Sequence, residues 1–176
     1  MKRLSNGKYT NIHLHFQDES RLGLITLGGR KVTARGVKPV GMKQYKRQNF
    51  YLYGTISPLS GRSFFIEMPY LDLECFQIFM DEFAISHRKG LHLIVVDRAS
   101  CHMSSRLKIA SNIVLLPLPP YSPELNPIER FWLELKRNLK WRLFERLKRS
   151  YVAMFRLLFK EPNEKLISLS IYSRHF

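Results

Sequence analysis

Short runs of branched and aromatic residues, separated by polar and glycine-containing stretches, mark the first part of the chain as strands. Residues 12–18 and 22–27 each predict a strand, and 50–56 (FYLYGTI) alternates as a third, with Gly54 marking a bulge. SFFIEM at 63–68 predicts a further strand. The spacing then turns helical. Leu73, Phe76, Phe79, Met80 and Phe83 form an apolar face behind a capping Asp72, in a helix running to about residue 88 with Gly90 as its stop. A strand at 91–97 follows, then a short helix at 104–110, a buried strand at 112–116 and the Pro-rich turn PLPPYSP. Ile128, Phe131, Trp132, Leu135, Leu139 and Leu143 form the buried stripe of a long helix from 127 to about 149. Asn126 suits its cap and Pro127 its first position. A last helical stretch covers parts of 150–171.

This order of elements fits an α/β, ribonuclease H-like arrangement: a mixed five-stranded sheet with flanking helices. The first three strands are antiparallel, and the two later strands run parallel to the first on its free side. The ends of the 12–18 and 91–97 strands then become neighbours. At 176 residues the chain reads as one domain, residues 1–176, with a core at about 11–149 and a C-terminal helical extension at about 150–171.

Acid placement sharpens the picture. Fourteen Asp and Glu face twenty-nine Lys and Arg, a formal charge of +15, so each acid stands out. Up to Ile66 the only acids are Asp18 and Glu19, and from Arg98 to Pro123 there are none. Asp18 and Asp97 each end a strand-like run, and Glu129 sits in the first turn of the long helix, just off its apolar stripe. The topology brings these three together. Converging carboxylates raise each other's pKa unless a cation lies between them, and hard oxygen ligands select two Mg²⁺ or Mn²⁺ ions able to support phosphodiester transfer.

Each acid also has a plainer role open to it. Glu129 could complete a capping box with Asn126, and Asp97 could bond loop backbone donors. Strand alternation points Glu19 away from Asp18, as a structural or solvated neighbour. Glu124 is the rival to Glu129 but lies in a Pro-bounded turn. Cys101 and His102 are too close in sequence to face each other as a nucleophilic pair. His13 and His15 share a strand face, where a packed or exposed role is expected.

Basic segments name the partner. Seven Lys and Arg with no acid occupy 30–47, and ten against Glu134 and Glu145 occupy 130–160. Arg35, Lys38, Lys43, Arg130, Lys136 and Lys140 are the candidate DNA contacts, since the charge calls for a polyanionic partner with nucleic acid as the leading candidate. Cys75 and Cys101 make no disulfide framework, and no apolar run is long enough for a membrane span. A cytoplasmic protein, associated with the nucleoid when acting, is expected.

QDES at 17–20, VVDRASCH at 95–102 and LPPYSPELNPIERFWLELK at 118–136 together resemble the catalytic domain of Tc/mariner superfamily transposases, in particular the bacterial insertion-sequence 630 branch. The resemblance covers roughly residues 11–140. It implies double-stranded DNA as the ligand, an Asp18, Asp97, Glu129 triad holding two Mg²⁺ (or Mn²⁺) ions, nicking of transposon ends and strand transfer into target DNA, with a family preference for TA targets. His102 matches a family position that shapes the site. A homodimer, or a separate helix-turn-helix polypeptide that recognises the ends, is the implied partner, because only about ten residues precede the first strand and the usual N-terminal helix-turn-helix domain is expected to be absent. The 31 residues between Asp97 and Glu129 are a few short of the family spacing. Other readings are a truncated, catalytically inactive DNA-binding remnant that inhibits or pairs with a full-length enzyme, and a structure-selective nuclease on the same fold.

Overall fold

The computed structural model describes residues 11–29, 32–38 and 40–146. Its elements are β1 (Ile12–Gly23), β2 (Asn49–Ser57), β3 (Arg62–Met68), α1 (Leu73–Ser86), β4 (Leu91–Val96), β5 (Ile113–Pro117) and α2 (Ile128–Leu139), with a 3-10 turn at Pro123–Leu125 before α2. The strands form one sheet in the order β3-β2-β1-β4-β5. β1, β2 and β3 are antiparallel, whereas β4 pairs parallel with β1 and β5 parallel with β4.

Alternation along each strand sends apolar side chains to both faces, so the sheet is covered on both sides. Tyr53, Phe64, Ile66, Ile94 and Val96 pack under Phe76, Phe79, Met80 and Phe83 of α1. On the other face Leu22, Phe50, Leu52 and Phe65 pack under Ile128, Trp132, Leu135 and Leu139 of α2. Asp72 caps α1, its Oδ1 accepting from the Cys75 amide at 2.8 Å.

Several expected details differ. Residues 12–18 and the start of the expected 22–27 strand belong to one strand, because β2 holds β1 in unbroken register from Phe16 to Gly23 through the polar residues 17–21, and residues 24–27 lie outside any strand. The third antiparallel strand is therefore 62–68. Gly54 is not a bulge: it pairs regularly with Asp18 on one side and Phe65 on the other. Its lack of a side chain makes room, since a Cβ would lie 2.6 Å from the Phe65 ring and 2.9 Å from Trp132.

Residues 104–110 form turns and not a helix. Gln77 of α1 binds that backbone reciprocally, accepting from the Lys108 amide and donating to the Lys108 carbonyl, both at 2.8 Å. α2 ends at Leu139, ten residues before the expected end. Trp141 takes a positive φ of 62° and its amide donates to the Leu27 carbonyl, reversing the chain. Leu143 consequently leaves the buried stripe and is 42% exposed. The expected helical stretch at 150–171 lies outside the described residues.

Candidate active site

β1 and β4 run side by side in parallel, with Phe16 opposite Val95. Carrying that register two residues forward sets Asp18 beside Asp97, which directly follows β4, and adjacent strands lie about 4.8 Å apart. Even-numbered residues of β1 face α2, so Asp18 points toward that helix. Its Oδ2 accepts a 2.9 Å hydrogen bond from Trp132 Nε1.

The start of α2 is fastened to the same place. Asn126 is buried, and its Nδ2 donates to the Gln17 carbonyl at 3.0 Å, one residue before Asp18. Its capping role is slight: Oδ1 reaches the Ile128 amide only at 3.4 Å, and Pro127 takes the N-cap position without a side-chain bond. Among the described residues no capping-box bond involves Glu129. The residue is half-buried at the second position of α2, whereas Glu124 is exposed in the 3-10 turn.

Burial pushes the Asp18 carboxyl up to about pKa 7, helped by the charges of Glu19 and Glu129 and opposed by the Glu19 amide and the Trp132 indole. Among the described residues neither Asp18 nor Glu129 has a Lys or Arg partner. Asp97 is the opposite case. The hydrogen bond from His102 holds its carboxyl below the usual range, against the effect of burial. No three Asp, Glu, His or Cys side chains among the described residues come close enough to hold a metal ion together. The structure therefore gathers Asp18 and Glu129 on one face and Asp97 at the neighbouring strand end, without closing the three carboxylates on a single point. The donor set nevertheless suits a hard divalent cation: it is all carboxylate, on rigid supports, and includes a half-buried acid with no basic partner among the described residues.

The sequence did not disclose how His102 and Glu19 are used. His102 is 4% exposed and lies against Phe76, with ring centroids 4.3 Å apart. Its Nδ1 donates to Asp97 Oδ1 at 2.6 Å and its Nε2 to Glu19 Oε1 at 3.0 Å. Burial opposes charging this ring, but the two carboxylates outweigh it and push the imidazole up to about pKa 10. The available signal was the five-residue step from Asp97 to His102, together with the alternation that turns Glu19 to the α1 face. Cys101 takes no part in a nucleophilic pair, because the His102 ring nitrogens are both occupied by carboxylates.

The candidate DNA contacts are spread along the molecule: Arg130 is in the first turn of α2, Lys136 in its last turn, Lys140 directly after it, and Arg35, Lys38 and Lys43 in the connection between β1 and β2. Arg35, Lys38, Lys43, Arg130 and Lys140 are exposed and Lys136 is half-buried. The 24–48 connection is stitched to the end of α2: Trp141 donates to Leu27, Gln44 Nε2 donates to the Phe144 carbonyl at 3.0 Å, and the Lys140 stem lies over Gly29. Leu27, Gly29 and Gln44 are thus held against residues 140–144, just past the end of α2. A cavity of about 190 Å³ sits there, lined by Arg21, Gln48 and Arg142 among others, at the far end of α2 from Asn126 and Glu129.

Asp18 within β1 and Asp97 directly after β4 are set side by side where the two strands run parallel, with the first turns of α2 over Asp18, on a mixed five-stranded sheet. The sequence pattern of the DDE superfamily endonucleases matches residues 13–149, and the chain belongs to that family. It is 37% identical over 97 residues to the uncharacterized protein y4pE/y4sA of Sinorhizobium fredii, covering 54% of this chain and 72% of that protein. Its fold is similar to that of the Mos1 mariner paired-end complex with Mn (TM-score 0.68, 14% identity, 86% of this chain and 49% of the other). It is also similar to the HTLV-2 integrase catalytic core domain in complex with magnesium (TM-score 0.51, 16% identity, 94% of each chain). The chain spans about half the length of the Mos1 structures it matches.

Proposed function

We propose that this chain is the catalytic domain of a DNA transposase that nicks transposon ends and transfers the freed strand into target DNA, with Asp18, Asp97 and Glu129 as its acidic triad. The observation that carries the reading is Asp18: a half-buried carboxyl with no basic partner among the described residues, crowded by Glu129 and set beside Asp97 by strand register. Such an arrangement is costly unless a cation neutralises it. The insertion-sequence 630 branch rests on the resemblance of the 118–136 motif.

Asp18, Asp97 and Glu129 would hold two Mg²⁺ or Mn²⁺ ions, which when bound supply charge neutralisation at the scissile phosphate and an activated water or 3′-hydroxyl. Relatives of this fold carrying Mn or magnesium support that reading. The protein's own contribution is positional. Trp132 holds the Asp18 carboxylate, Asn126 fixes the height of α2 over β1, and His102 holds Asp97. The exposed Arg35, Lys38, Lys43, Arg130 and Lys140 would bind the DNA backbone without reading bases, so end recognition would fall to a helix-turn-helix polypeptide or to a dimer partner. The Mos1 structures that contain transposon ends support DNA as the ligand.

The test is Mg²⁺- or Mn²⁺-dependent nicking of supercoiled DNA by this chain. Asp18→Asn should abolish it with the fold and DNA binding retained. Unchanged nicking in that variant would overturn the assignment.

A further inference from the structure

Asp18 and Glu19 are consecutive on β1 and therefore point to opposite faces of the sheet, yet both lie beside the C-terminal end of β4. Asp18 faces α2, whereas Glu19 faces α1 and ends at His102. Asp97 lies one residue beyond β4, and its side chain is 54% exposed, so no packing fixes its orientation. What holds it is a pair of donors on one oxygen: the Ala99 amide at 2.9 Å and His102 Nδ1 at 2.6 Å, both on Oδ1. Oδ2 is left without a protein donor among the described residues. The ring that makes this choice is itself immobilised, by Phe76 beside it and by Glu19 at its other nitrogen. Glu19 is fixed in turn by Gln17 Nε2 at 2.8 Å and by its pairing with Tyr53.

We propose that Glu19 and His102 are positioning residues for Asp97: the Glu19–His102 bridge, passed around the strand ends from the α1 face, fixes which Asp97 oxygen is offered to a divalent cation. This rests on the reading of Asp97 as a ligand. A purely stabilising role explains the bridge poorly, since buried ion pairs often contribute less than apolar packing of the same volume, and this one ends on a half-exposed carboxylate. Outer groups that orient a ligand typically change metal affinity or activity 10- to 100-fold when removed.

The probe is Mn²⁺ alone, titrated into this chain and followed by electron paramagnetic resonance, with the thermal midpoint measured beside it. Glu19→Ala should weaken Mn²⁺ binding by roughly tenfold or more, and Glu19→Gln, which restores an acceptor for His102 Nε2, should recover most of the affinity. Wild-type Mn²⁺ affinity in folded Glu19→Ala, whatever its thermal midpoint, would overturn the proposal. Should Glu19→Ala fail to fold, the double variant Glu19→Leu with His102→Met replaces the bridge by apolar packing. Weak Mn²⁺ binding in that folded protein supports the proposal, and wild-type binding overturns it. Asp97→Asn separates the two levels. If it binds Mn²⁺ as wild type does, Asp97 is no ligand and the underlying reading fails. If it loses binding while the bridge variants keep it, only the positioning role falls.

Discussion

Trp132 Nε1 and Asp18 Oδ2 are 2.9 Å apart across 114 residues of sequence, and this hydrogen bond is where the helix above the sheet meets the acid within it. The indole lowers the Asp18 pKa while burial raises it. Trp132→Phe keeps the packing under α2 and removes the donor. The Asp18 carboxyl then moves further up, so Mn²⁺ binding should require a higher pH than in wild type. A titration of Mn²⁺ affinity against pH checks this, and an unshifted profile would show that the indole does not act on the carboxylate.

Glu129 and Glu124 are the two glutamates of the YSPELNPIE motif, and they occupy different supports. Glu129→Gln should reduce metal-dependent nicking on the order of a hundredfold or more while folding is kept. Glu124→Gln, in an exposed turn, should stay near wild type. Nicking of supercoiled DNA distinguishes the two, and the reverse outcome would make Glu124 the third ligand.

Gly54 bears on the same bond from below. Gly54→Ala places a methyl group 2.6 Å from the Phe65 ring and 2.9 Å from Trp132, so one of the rings must move. The expected loss is about 1–3 kcal/mol, with changed tryptophan fluorescence. A thermal midpoint equal to wild type would show that both rings yield without cost.

At the opposite end of β1 and β4, His15, His92, His87 and His13 cluster, with His15 Nε2 and His92 Nδ1 3.0 Å apart and His13 stacked on His92. His92 Nε2 donates to the Lys89 carbonyl, so in the neutral ring Nδ1 is the acceptor and His15 the donor. Burial first, then the neighbouring histidines and Arg62, lower His15 to about 3; burial chiefly lowers His92 to about 4. Both folded-state values lie below the unfolded one near 6.5, so the unfolded chain binds more protons in that window. Stability should be full above about pH 6.5 and fall as pH drops toward 4. Urea midpoints measured between pH 7.5 and 4 test this, and a flat profile contradicts it.

The basic surface makes a salt prediction. Neutralising Lys43 and Lys140 together should weaken DNA binding alike on unrelated sequences, and reduce the slope of log K against log salt by about 2. Loss confined to one DNA sequence would indicate base reading instead.

Much of the fold was legible because its elements bury clean apolar patterns: α1 with its Asp72 cap, β4 and the stripe from Ile128 to Leu139 follow the sequence closely, whereas β5, expected to be buried, is an edge strand in which only Ile113 is buried and Leu116 is exposed. β1 was misread where the chain turns polar at QDESR, since there the backbone pairing with β2 and the chemistry of the site override side-chain propensity. The glycine at 54 looked like a bulge because its packing partners, Phe65 and Trp132, are distant in sequence. The sequence expects Asp18 and Asp97 at strand ends and Glu129 at a helix start; Asp97 directly follows β4 and Glu129 is in the first turn of α2, but Asp18 lies within β1, because pairing with β2 carries that strand on to Gly23. The Asp97–His102–Glu19 bridge could not, because it depends on a loop conformation that folds the His102 ring back under α1.

The sheet order also governs when the site comes into being. β2 and β3 join through a short turn, but β4 must return across more than 70 residues to lie beside β1, and α2 arrives last, fastened through Asn126 and Trp132. A chain emerging from the ribosome therefore carries Asp18 early and Glu129 only after all five strands of the sheet. Until α2 has emerged and docked, a partly synthesised chain can hold at most two of the three proposed acids, so DNA near the site of synthesis meets no assembled nuclease.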